Sequence, residues 1–294
     1  YEAVKQGYRH FDAASDYGNE KEVGIGLKRA MDEGLCNRED LWVTSKLWNT
    51  YHHPSHVPMA LQRTLEDLQL EHLDLYLIHF PIALEFIDFD ERYPSEWFFE
   101  PEASNPVMKL AKIPLADTWH AMEELKVNKK VKHIGICNYS TGLLNDLMNY
   151  CQIPPELLQI ESHPYLSQEN LIRLAKQHGL EVTAFSPLGS LSYVELEMAE
   201  QSESILDQNV VKEIAKHLNC SPVQVVLRWG TQRGTSVLAK SISAERMAEN
   251  LASNNIELTP KDMMAISNLN RNRRFNDPGD FCEGAFNTFH PIYD

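Results

Sequence analysis

Four polar side chains of different chemistry lie within the first 79 residues, each near the end of an apolar, β-rich segment. Asp12 ends "YRHFD", Lys46 lies near the end of "LWVTSKL", and His79 ends "LDLYLIH". Tyr17 follows Asp12 by five residues. A phenol with an ordinary pKa of about 10 is a poor acid at neutral pH unless a nearby cation stabilises its phenolate. Lys46 could supply that cation, and Asp12 would keep Lys46 charged and oriented, so the set points to acid–base chemistry at Tyr17.

Short apolar segments alternate along the chain with longer amphipathic ones. Strands are predicted over residues 8–14, 41–47, 73–79, 132–138, 157–162, 181–186 and 236–241. Helices are predicted between them, over residues 19–34, 55–69, 115–129, 141–151, 168–179 and 221–234. This order indicates a parallel sheet with crossover helices.

The predicted fold class is a (β/α)8 barrel, as a single domain over residues 1–294. No GxGxxG follows any predicted strand, which disfavours a Rossmann-type, doubly wound sheet. The strands of a barrel carry their C-terminal residues to one face, so Asp12, Lys46 and His79 should converge there. The long loops 80–113 and 187–207 are predicted to be functional, because loops of such length are uncommon inside a compact domain.

Each of these residues also has a purely structural interpretation. An Asp at a strand end is often a cap or an ion-pair partner, a lone Lys46 or His79 is usually structural or solvent-facing, and Tyr17 alone would be a packing residue. Their joint placement at successive strand ends favours the chemical interpretation. A metal site is disfavoured, because the twelve histidines show neither HxH nor HExxH spacing and the cysteines are scattered.

The composition limits the possible partners. The net charge of −15 over 294 residues argues against a surface for nucleic acid or anionic membranes, so an anionic ligand would need a local basic pocket. Five cysteines without a CxxC pair predict free thiols in a reducing compartment. No apolar run is long enough to span a membrane and the N-terminus does not look like a signal peptide, so a cytoplasmic protein is expected.

The chain resembles an aldo-keto reductase from Tyr1 to Asp294. The resemblance is carried, in order, by "GYRHFDAASDYGNEKEVG", "TSKLWN", "LIHFPIA", "GICNYS", "QIESHPYL", "AFSPLGS" and "AKSISAERMAEN". Two further segments, "LIHFPIALEFIDFDERYP" and "RRFNDPGDF", are similar to fungal-type xylose reductases, which reduce sugar aldehydes. The resemblance implies a barrel enzyme that uses a nicotinamide cofactor.

The resemblance also implies roles for individual residues. Tyr17 would be the proton donor, Lys46 would lower its pKa, Asp12 would pair with Lys46, and His79 would orient the substrate carbonyl. The cofactor-binding residues would be Cys137, Asn138, Gln159, Phe185, Ser186, Leu188, Ser190, Lys240, Ser241, Ser243, Arg246, Glu249 and Asn250. Cys137, Asn138 and Gln159 would hold the nicotinamide carboxamide, and Phe185 would stack on its ring. The family usually has Ser at position 137 and often Tyr at position 185, and a thiol is the weaker hydrogen-bond donor.

The cofactor preference is predicted from "KSISAERMAEN", residues 240–250. Its cationic and hydroxyl side chains suit the 2′-phosphate of NADPH, although Ser243 and Arg246 could instead form a simple helix start. Position 242 is Ile, where xylose reductases that also accept NADH tend to carry Asn, so the prediction tilts toward NADPH. Glu195 resembles an acidic residue that dual enzymes place near the ribose, which leaves NADH use open.

The substrate is predicted less directly than the cofactor. By resemblance, Asp16, Trp48, Phe80 and Asn276 would line the pocket, as aromatic walls with a few polar groups for sugar hydroxyls. The leading hypothesis is an NADPH-dependent aldose reductase of xylose-reductase type, monomeric or homodimeric. The alternatives are a broad-specificity aldehyde, ketone or sugar-phosphate reductase, and a non-catalytic relative that serves as a binding or structural protein.

One departure from the family concerns the N-terminus. Family members begin with a short hairpin and a first barrel strand that bears a pocket tryptophan, whereas this chain opens at "YEAVKQGYRHFD", inside what the resemblance makes the first helix. The hairpin and first strand are therefore expected to be missing from this chain, which agrees with the count of seven predicted strands. Unpaired strand edges would follow from that absence.

Overall fold

The computed structural model describes residues 1–293, and its strands form one parallel sheet. The seven strands are β1 (His10–Asp12), β2 (Trp42–Leu47), β3 (Leu73–Ile78), β4 (Val131–Cys137), β5 (Leu157–Glu161), β6 (Glu181–Phe185) and β7 (Ser236–Leu238). They are hydrogen-bonded in chain order from β1 to β7. Each overlaps one of the seven predicted strands, so the strand count and the parallel order are confirmed for the described residues.

Helices alternate with these strands. They are α1 (Glu2–Lys5), α2 (Glu20–Asp32), α3 (Val57–Leu68), α4 (Leu115–Val127), α5 (Thr141–Tyr150), α6 (Glu169–Gln177), α7 (Asn209–Leu218), α8 (Pro222–Gln232), α9 (Ala244–Ala252), α10 (Pro260–Ser267) and α11 (Pro278–Phe286). The six predicted helices correspond to α2–α6 and α8. Helices α7, α10 and α11 were not predicted, although Thr259 and Asp262 form a capping box at the start of α10.

The chain divides into two compact units. Unit 1 comprises Tyr1, Ala3–Leu158 and Pro278–Asp294, of which Asp294 lies outside the described residues; unit 2 comprises Glu2 and Gln159–Asp277. A single domain over residues 1–294 stays a prediction.

In unit 1 the core is built on β2 and β3. All six residues of β3 are buried, and the pairing of Thr44 with Leu75 and of Lys46 with Leu77 fixes the register between the two strands. Helix α3 adds a buried apolar stripe that includes Leu61, Leu65 and Leu68. The alternation of strands and helices therefore places the C-terminal ends of neighbouring strands at a common edge of the sheet. This is the arrangement that the predicted acid–base site needs.

In unit 2 the core lies between the helices α7 and α8 and the segments around them. Val225, Val226 and Trp229 of α8 are buried together with two aromatic residues, Tyr193 before this helix and Phe275 after it. Residues 271–273 run back along this unit, because the backbone N–H groups of Arg271 and Arg273 donate to the Tyr165 carbonyl at 3.2 and 3.0 Å. This return segment brings Phe275 and Asn276 to a fixed place in unit 2.

Two findings bear on the expected environment of the protein. All five cysteines are free thiols, as the sequence predicted. No helix among residues 1–293 is both long enough and apolar enough to cross a membrane.

A glycine in α2 allows this helix to lie against the end of α3. A Cβ atom built on Gly24 would lie 2.6 Å from the Asp67 carbonyl oxygen and 2.7 Å from that of Leu68, which is closer than real Cβ contacts. We therefore predict that Gly24→Ala lowers the free energy of unfolding by about 1–3 kcal/mol, because the overpacked helix must shift. Urea denaturation measures this change.

A matched control is Gly142→Ala in α5, where the nearest atom to the built Cβ is Ser140 Oγ at 3.9 Å. There the substitution should raise the free energy of unfolding by roughly 0.5–1 kcal/mol through helix propensity alone. Equal effects of the two substitutions would contradict the close approach at Gly24.

Candidate active site

Three neighbouring strands and one short turn position the four residues singled out from the sequence. Asp12 ends β1, Lys46 lies one residue before the end of β2, and His79 directly follows β3. Tyr17 lies on a 3₁₀ turn, Ser15–Tyr17, that closes on Gly18 in the left-handed conformation with φ of 66°. All four belong to unit 1 and lie at the same edge of the sheet, as the strand-end argument predicted.

Lys46 is the centre of this group. Its side chain is fully buried, and its Nζ donates to the Asp12 carboxylate, to the Ala13 carbonyl oxygen at 2.9 Å and to the Tyr17 hydroxyl at 3.2 Å. Burial has the largest single effect and lowers the pKa of Lys46, but Asp12, Tyr17 and Cys137 together outweigh it and raise the pKa above its ordinary value. Lys46 is therefore a permanent cation beside the Tyr17 hydroxyl.

Tyr17 combines an open ring with an enclosed hydroxyl. The residue is 51% exposed, whereas its hydroxyl lies against the buried ammonium of Lys46. Removal of water from the hydroxyl raises the pKa of Tyr17, and the positive charge of Lys46 opposes this rise without outweighing it. Lys46 thus acts in the predicted direction, and the phenol keeps its proton at neutral pH. A hydroxyl that is protonated yet touches a fixed cation can release its proton to an acceptor without creating an unpaired anion.

His79 lies beside Tyr17 as a neutral ring. The two ring centroids are 5.9 Å apart in an edge-to-face arrangement. Burial, followed by the positive charge of Lys46, holds the pKa of His79 well below its ordinary value. The buried Nδ1 atom has no hydrogen-bond partner among residues 1–293. A neutral imidazole carries one N–H donor and can therefore orient a carbonyl oxygen near Tyr17.

The predicted substrate residues of unit 1 form an aromatic wall next to His79. The ring centroid of Trp48 lies 5.2 Å from that of His79, and the ring of Phe80 stacks on His79 at 4.9 Å. Trp97, which the sequence analysis did not single out, contacts both, with centroids 4.8 Å from Trp48 and 5.3 Å from Phe80. Trp97 belongs to the loop 80–113, so this predicted functional loop does reach the candidate site.

Asp16 lies within the Ser15–Tyr17 turn, in a half-buried position. Removal of water and then the negative charge of Glu96 raise the pKa of Asp16 to about 7, while Lys46 acts in the opposite direction. Glu96 lies on the same loop as Trp97, and its backbone carbonyl accepts a hydrogen bond from Trp48 Nε1 at 2.9 Å. The polar residue predicted for the substrate pocket therefore sits in a site that disfavours its ionised form.

Two predicted cofactor residues lie at the end of β4: Cys137 is its last residue, and Asn138 follows it. Asn138 is buried in the left-handed conformation with φ of 62°, and its Nδ2 donates to the His79 carbonyl oxygen at 2.9 Å. The same Nδ2 lies 3.3 Å from Cys137 Sγ, and burial raises the pKa of the Cys137 thiol. Tyr293, which the sequence analysis missed, donates its hydroxyl to Asn138 Oδ1 at 3.3 Å. Asn138 is thus tied to the strand end that carries His79.

A buried acid behind the site was also missed. Glu20 of α2 accepts hydrogen bonds from Ser45 at 2.5 Å, Thr64 at 3.1 Å and Tyr93 at 3.4 Å, and it is only 3% exposed. Ser45 precedes Lys46 on β2, and Tyr93 belongs to the loop 80–113. Glu20 therefore connects β2 and this loop by hydrogen bonds. The available signal was position: Glu20 lies on the buried face of α2 with Gly24 and Leu27.

The remaining predicted cofactor residues belong to unit 2. Gln159 is buried within β5, and Phe185 ends β6. Ser186 has a φ of 47° and bonds the Tyr193 hydroxyl at 2.8 Å, and Leu188 packs against the core of this unit. The Ser190 hydroxyl is buried with no hydrogen-bond partner among the described residues. An orphaned buried hydroxyl of this kind fits a ligand atom that would complete its hydrogen bonding.

The predicted phosphate-binding residues lie around the start of α9. Ser243 caps the helix by accepting from the Arg246 N–H at 3.3 Å, and Ser241 Oγ accepts from the Ser243 N–H at 3.1 Å. The side chains of Lys240 and Arg246 are exposed, and neither joins an ion pair with a residue in 1–293. Ile242 is 96% exposed. Ser243 therefore does form the simple helix start that the sequence analysis gave as an alternative to a phosphate site. The two cations Lys240 and Arg246 nevertheless stay available to an anionic ligand.

Three further predicted or proposed residues lie on α9 and on the return segment. Glu249 and Asn250 are half-buried on α9, and the Glu249 carbonyl oxygen accepts from Gln224 Nε2 at 3.0 Å. Asn276 is half-buried, and its backbone N–H donates to the Glu161 carboxylate at 2.9 Å. Glu195, by contrast, is exposed on the loop 187–207.

No group of three or more His, Cys, Asp or Glu side chains within residues 1–293 has the arrangement of a metal site. The orphaned Ser190 hydroxyl and the unpaired cations Lys240 and Arg246 instead match the donors that a phosphorylated nucleotide cofactor needs. The residues present therefore fit the nicotinamide cofactor that the sequence implies.

Comparisons with known proteins agree with this chemistry. A family model described as the aldo/keto reductase family matches residues 1–271. The NAD(P)H-dependent D-xylose reductase of Kluyveromyces lactis is 47% identical, over 98% of this chain and 89% of that protein. The NADPH-dependent aldose reductase GRE3 of Saccharomyces cerevisiae is 44% identical, over 98% of this chain and 90% of that protein.

A solved structure shows the same similarity in three dimensions. The aldose reductase from Giardia lamblia superposes with a TM-score of 0.86 at 35% identity, covering 100% of this chain and 92% of that one. The predicted (β/α)8-barrel fold class is confirmed by this likeness. The chain belongs to the aldo/keto reductase family.

Proposed function

We propose that the protein reduces the aldehyde of an aldose, such as xylose, to the corresponding polyol with NADPH as reductant. The observation that carries this proposal is the contact of the buried Lys46 ammonium with both the Asp12 carboxylate and the Tyr17 hydroxyl. The xylose and aldose reductases that are 44–47% identical to nearly the whole chain support the same activity.

Reduction of an aldehyde needs a hydride at carbon and a proton at oxygen. NADPH, when bound, supplies the hydride. Tyr17 supplies the proton from its hydroxyl, which is protonated at neutral pH because removal of water raises its pKa. As that proton leaves, Lys46 at 3.2 Å stabilises the phenolate, and Asp12 keeps the ammonium in place. The neutral ring of His79 donates a hydrogen bond to the carbonyl oxygen and so orients it toward Tyr17.

Cofactor binding is assigned to the remaining residues of the predicted set. In unit 1, Cys137 and Asn138 would hold the carboxamide of the nicotinamide, with Asn138 fixed by its bond to the His79 carbonyl oxygen. In unit 2, the proposed cofactor residues are Gln159, Phe185, which would stack on the nicotinamide ring, and the loop of Ser186, Leu188 and Ser190. Glu249 and Asn250 would complete the binding site at α9.

NADPH rather than NADH is the proposed main cofactor. Lys240 and Arg246 are exposed cations without an acidic partner in residues 1–293, beside the hydroxyls of Ser241 and Ser243. On a protein with a net charge of −15, such a group is selective for an anion such as the 2′-phosphate. The apolar Ile242 offers nothing to the free ribose hydroxyls of NADH, so NADH use would be the weaker of the two.

In unit 1, Asp16, Trp48 and Phe80 are proposed to line the substrate pocket. The aromatic side chains would exclude water from the carbonyl, while Asp16 would bind sugar hydroxyls. The substrate-binding role of Asn276, in unit 2, stays a prediction. We also propose a cytoplasmic location, which the five free thiols support. The monomeric or homodimeric state stays a prediction.

The first test removes the proposed acid. Tyr17→Phe deletes the only transferable proton of the side chain while keeping the ring, so kcat for xylose with NADPH should fall by at least about 10²-fold. The affinity for NADPH, measured by quenching of protein fluorescence, should stay within a factor of about two. Tyr150→Phe, which removes a phenol hydroxyl elsewhere in unit 1, is the control. Near-normal turnover of Tyr17→Phe would remove Tyr17 from the mechanism.

The second test concerns the cofactor. Arg246→Ala removes a proposed partner of the 2′-phosphate, so KM for NADPH should rise by roughly tenfold or more while KM for NADH changes little. Lys261→Ala, which removes an exposed cation of α10, is the matched control and should change neither value. If both cofactors weakened equally, Arg246 would contact a group that they share.

The third test uses the raised pKa of Asp16, about 7 against an ordinary 3.8. Between these values the folded protein holds a proton that the unfolded chain has released, so the free energy of unfolding falls as the pH rises through this window. At pH 8 Asp16 is ionised in an unfavourable site, and Asp16→Asn should therefore raise the melting temperature.

At pH 5 Asp16 of the folded protein keeps its proton, so the gain in melting temperature from Asp16→Asn should largely disappear. The comparison is made by thermal melts at both pH values, with Asp90→Asn, an exposed carboxylate on the loop 80–113, as the control. A gain of equal size at the two pH values would show that Asp16 titrates normally.

A further inference from the structure

Glu96, on the loop 80–113, has a backbone conformation that a glycine would adopt more easily. Its φ of 55° lies in the left-handed region, which disfavours a residue that carries a Cβ atom. Its side chain is exposed and forms no ion pair with a residue in 1–293. Strained backbone is concentrated at functional positions. An unpaired acid in such a conformation therefore points to a role for its charge.

Hydrogen bonds hold the backbone of Glu96 in place within unit 1. Its carbonyl oxygen accepts from Trp48 Nε1 at 2.9 Å. The preceding residue, Ser95, is buried, and its hydroxyl oxygen lies 2.6 Å from that of Thr50, which is also buried. Both partners belong to the chain just after β2. The acid is therefore attached to the strand that carries Lys46, although it lies in the middle of a long loop.

The residues on either side of this acid border the proposed reaction site. A Cβ atom built on Gly18, the residue after Tyr17, would lie 3.6 Å from Pro94 Cγ. On the other side of the acid, the ring centroid of Trp97 lies 5.3 Å from that of Phe80 in the aromatic wall. The segment 94–97 thus runs from the turn that carries the proton donor to the wall beside His79.

The charge that remains at this site is negative. Lys46 and Asp12 offset each other as an ion pair, and His79 is neutral. The charge of Glu96 reaches Asp16, where it is the second cause, after removal of water, of the raised pKa. Asp16 directly precedes Tyr17 in the chain, so a negative group on a molecule bound at Tyr17 would meet the same repulsion.

The cation next to Glu96 in the loop does not neutralise it. Arg92 Nε donates to the Ser95 carbonyl oxygen at 3.0 Å, and its Nη2 donates to the Phe98 carbonyl oxygen. Arg92 therefore holds backbone groups of the loop and forms no ion pair with Glu96. Repulsion between exposed charges acts over about 8–10 Å in physiological salt. A phosphate on a small aldehyde lies within such a distance of its carbonyl group.

We propose that Glu96 is a specificity-determining residue, whose carboxylate repels aldehydes that carry a negative charge and so restricts the protein to neutral aldehydes such as free aldoses. This inference rests on the proposed function and deepens it, because it separates an aldose reductase from a sugar-phosphate reductase. Glu96 takes no part in the transfer of hydride or proton. A repulsive group of this kind acts on the unwanted substrate and leaves the preferred one unaffected.

The experiment compares glyceraldehyde with glyceraldehyde 3-phosphate, using the full chain and saturating NADPH. Glu96→Gln removes the charge and keeps the size of the side chain. We expect kcat/KM for the phosphate to rise by about three- to tenfold, with kcat/KM for glyceraldehyde and for xylose within a factor of about two of wild type. The preference of the wild type for glyceraldehyde should also shrink between about 20 and 500 mM NaCl, because salt screens the repulsion.

Three further variants separate charge from shape. Glu96→Gly removes the charge and suits the left-handed backbone, so it should act like Glu96→Gln. Glu96→Asp keeps the charge and should keep the ratio of the two kcat/KM values within a factor of about two of wild type. The matched control is Glu100→Gln, which removes an exposed acid of the same loop that is not among the causes of the Asp16 pKa. It should leave the ratio unchanged.

An unchanged ratio in Glu96→Gln and Glu96→Gly would mean that this charge does not select the substrate, and the inference would be wrong. An equal change in Glu96→Asp would also overturn it, because the shape of the side chain would then be the cause. These outcomes leave the proposed function intact as long as the wild type reduces xylose. A wild-type protein that reduces neither xylose nor glyceraldehyde with NADPH would instead overturn the proposed function, and this inference with it.

Discussion

The buried ammonium of Lys46 is the interaction on which the candidate active site depends. A lone charge in this position would be strongly destabilising, and three oxygen atoms, from Asp12, Ala13 and Tyr17, offset the loss of water. These three acceptors come from β1 and the chain just after it, whereas Lys46 comes from β2. The same contacts therefore place an acid at the strand end, define where the phenol hydroxyl lies and keep the ammonium charged.

The two units contribute different kinds of surface to the proposed chemistry. In unit 1 the ionisable groups Lys46 and His79 are buried. Burial keeps His79 neutral, whereas Asp12 and its neighbours keep Lys46 charged in spite of burial. In unit 2 the cations Lys240 and Arg246 are exposed and unpaired within residues 1–293, so they stay charged and accessible. A buried environment suits proton transfer, because a fixed cation acts most strongly where water is excluded. An exposed environment suits recognition of a phosphate, because the ligand must reach the charge.

Much of this could be predicted from the sequence, because the signals were local. Alternating apolar and amphipathic segments predicted the seven strands, and the strand-end positions of Asp12, Lys46 and His79 predicted that these side chains would lie together. Helices α7, α10 and α11 were missed because each is next to another helix in the chain with no strand between them, so the strand–helix alternation did not mark them.

Contacts between residues far apart in sequence were not predictable. The side chains of Glu20 and Tyr293 bond residues that lie 25 to 155 positions away, so local sequence patterns did not reveal these bonds. That the pKa of Tyr17 is raised rather than lowered could not be predicted, for a similar reason. A neighbouring lysine can be inferred from strand order, but the amount of water removed from the hydroxyl depends on the packed structure, and here that effect is the larger one.

Strand β1 has three residues, and within residues 1–293 it pairs with β2. Its last residue, Asp12, is the proposed partner of Lys46. Lys46 donates hydrogen bonds to the Asp12 carboxylate and to the Ala13 carbonyl oxygen, and so attaches β1 to β2. Enzymes often trade stability for activity, because reactive groups are held in unfavourable surroundings. At β1 the two demands coincide. The attachment of this strand and the proposed proton transfer from Tyr17 both depend on Lys46, so a substitution of this lysine would impair both.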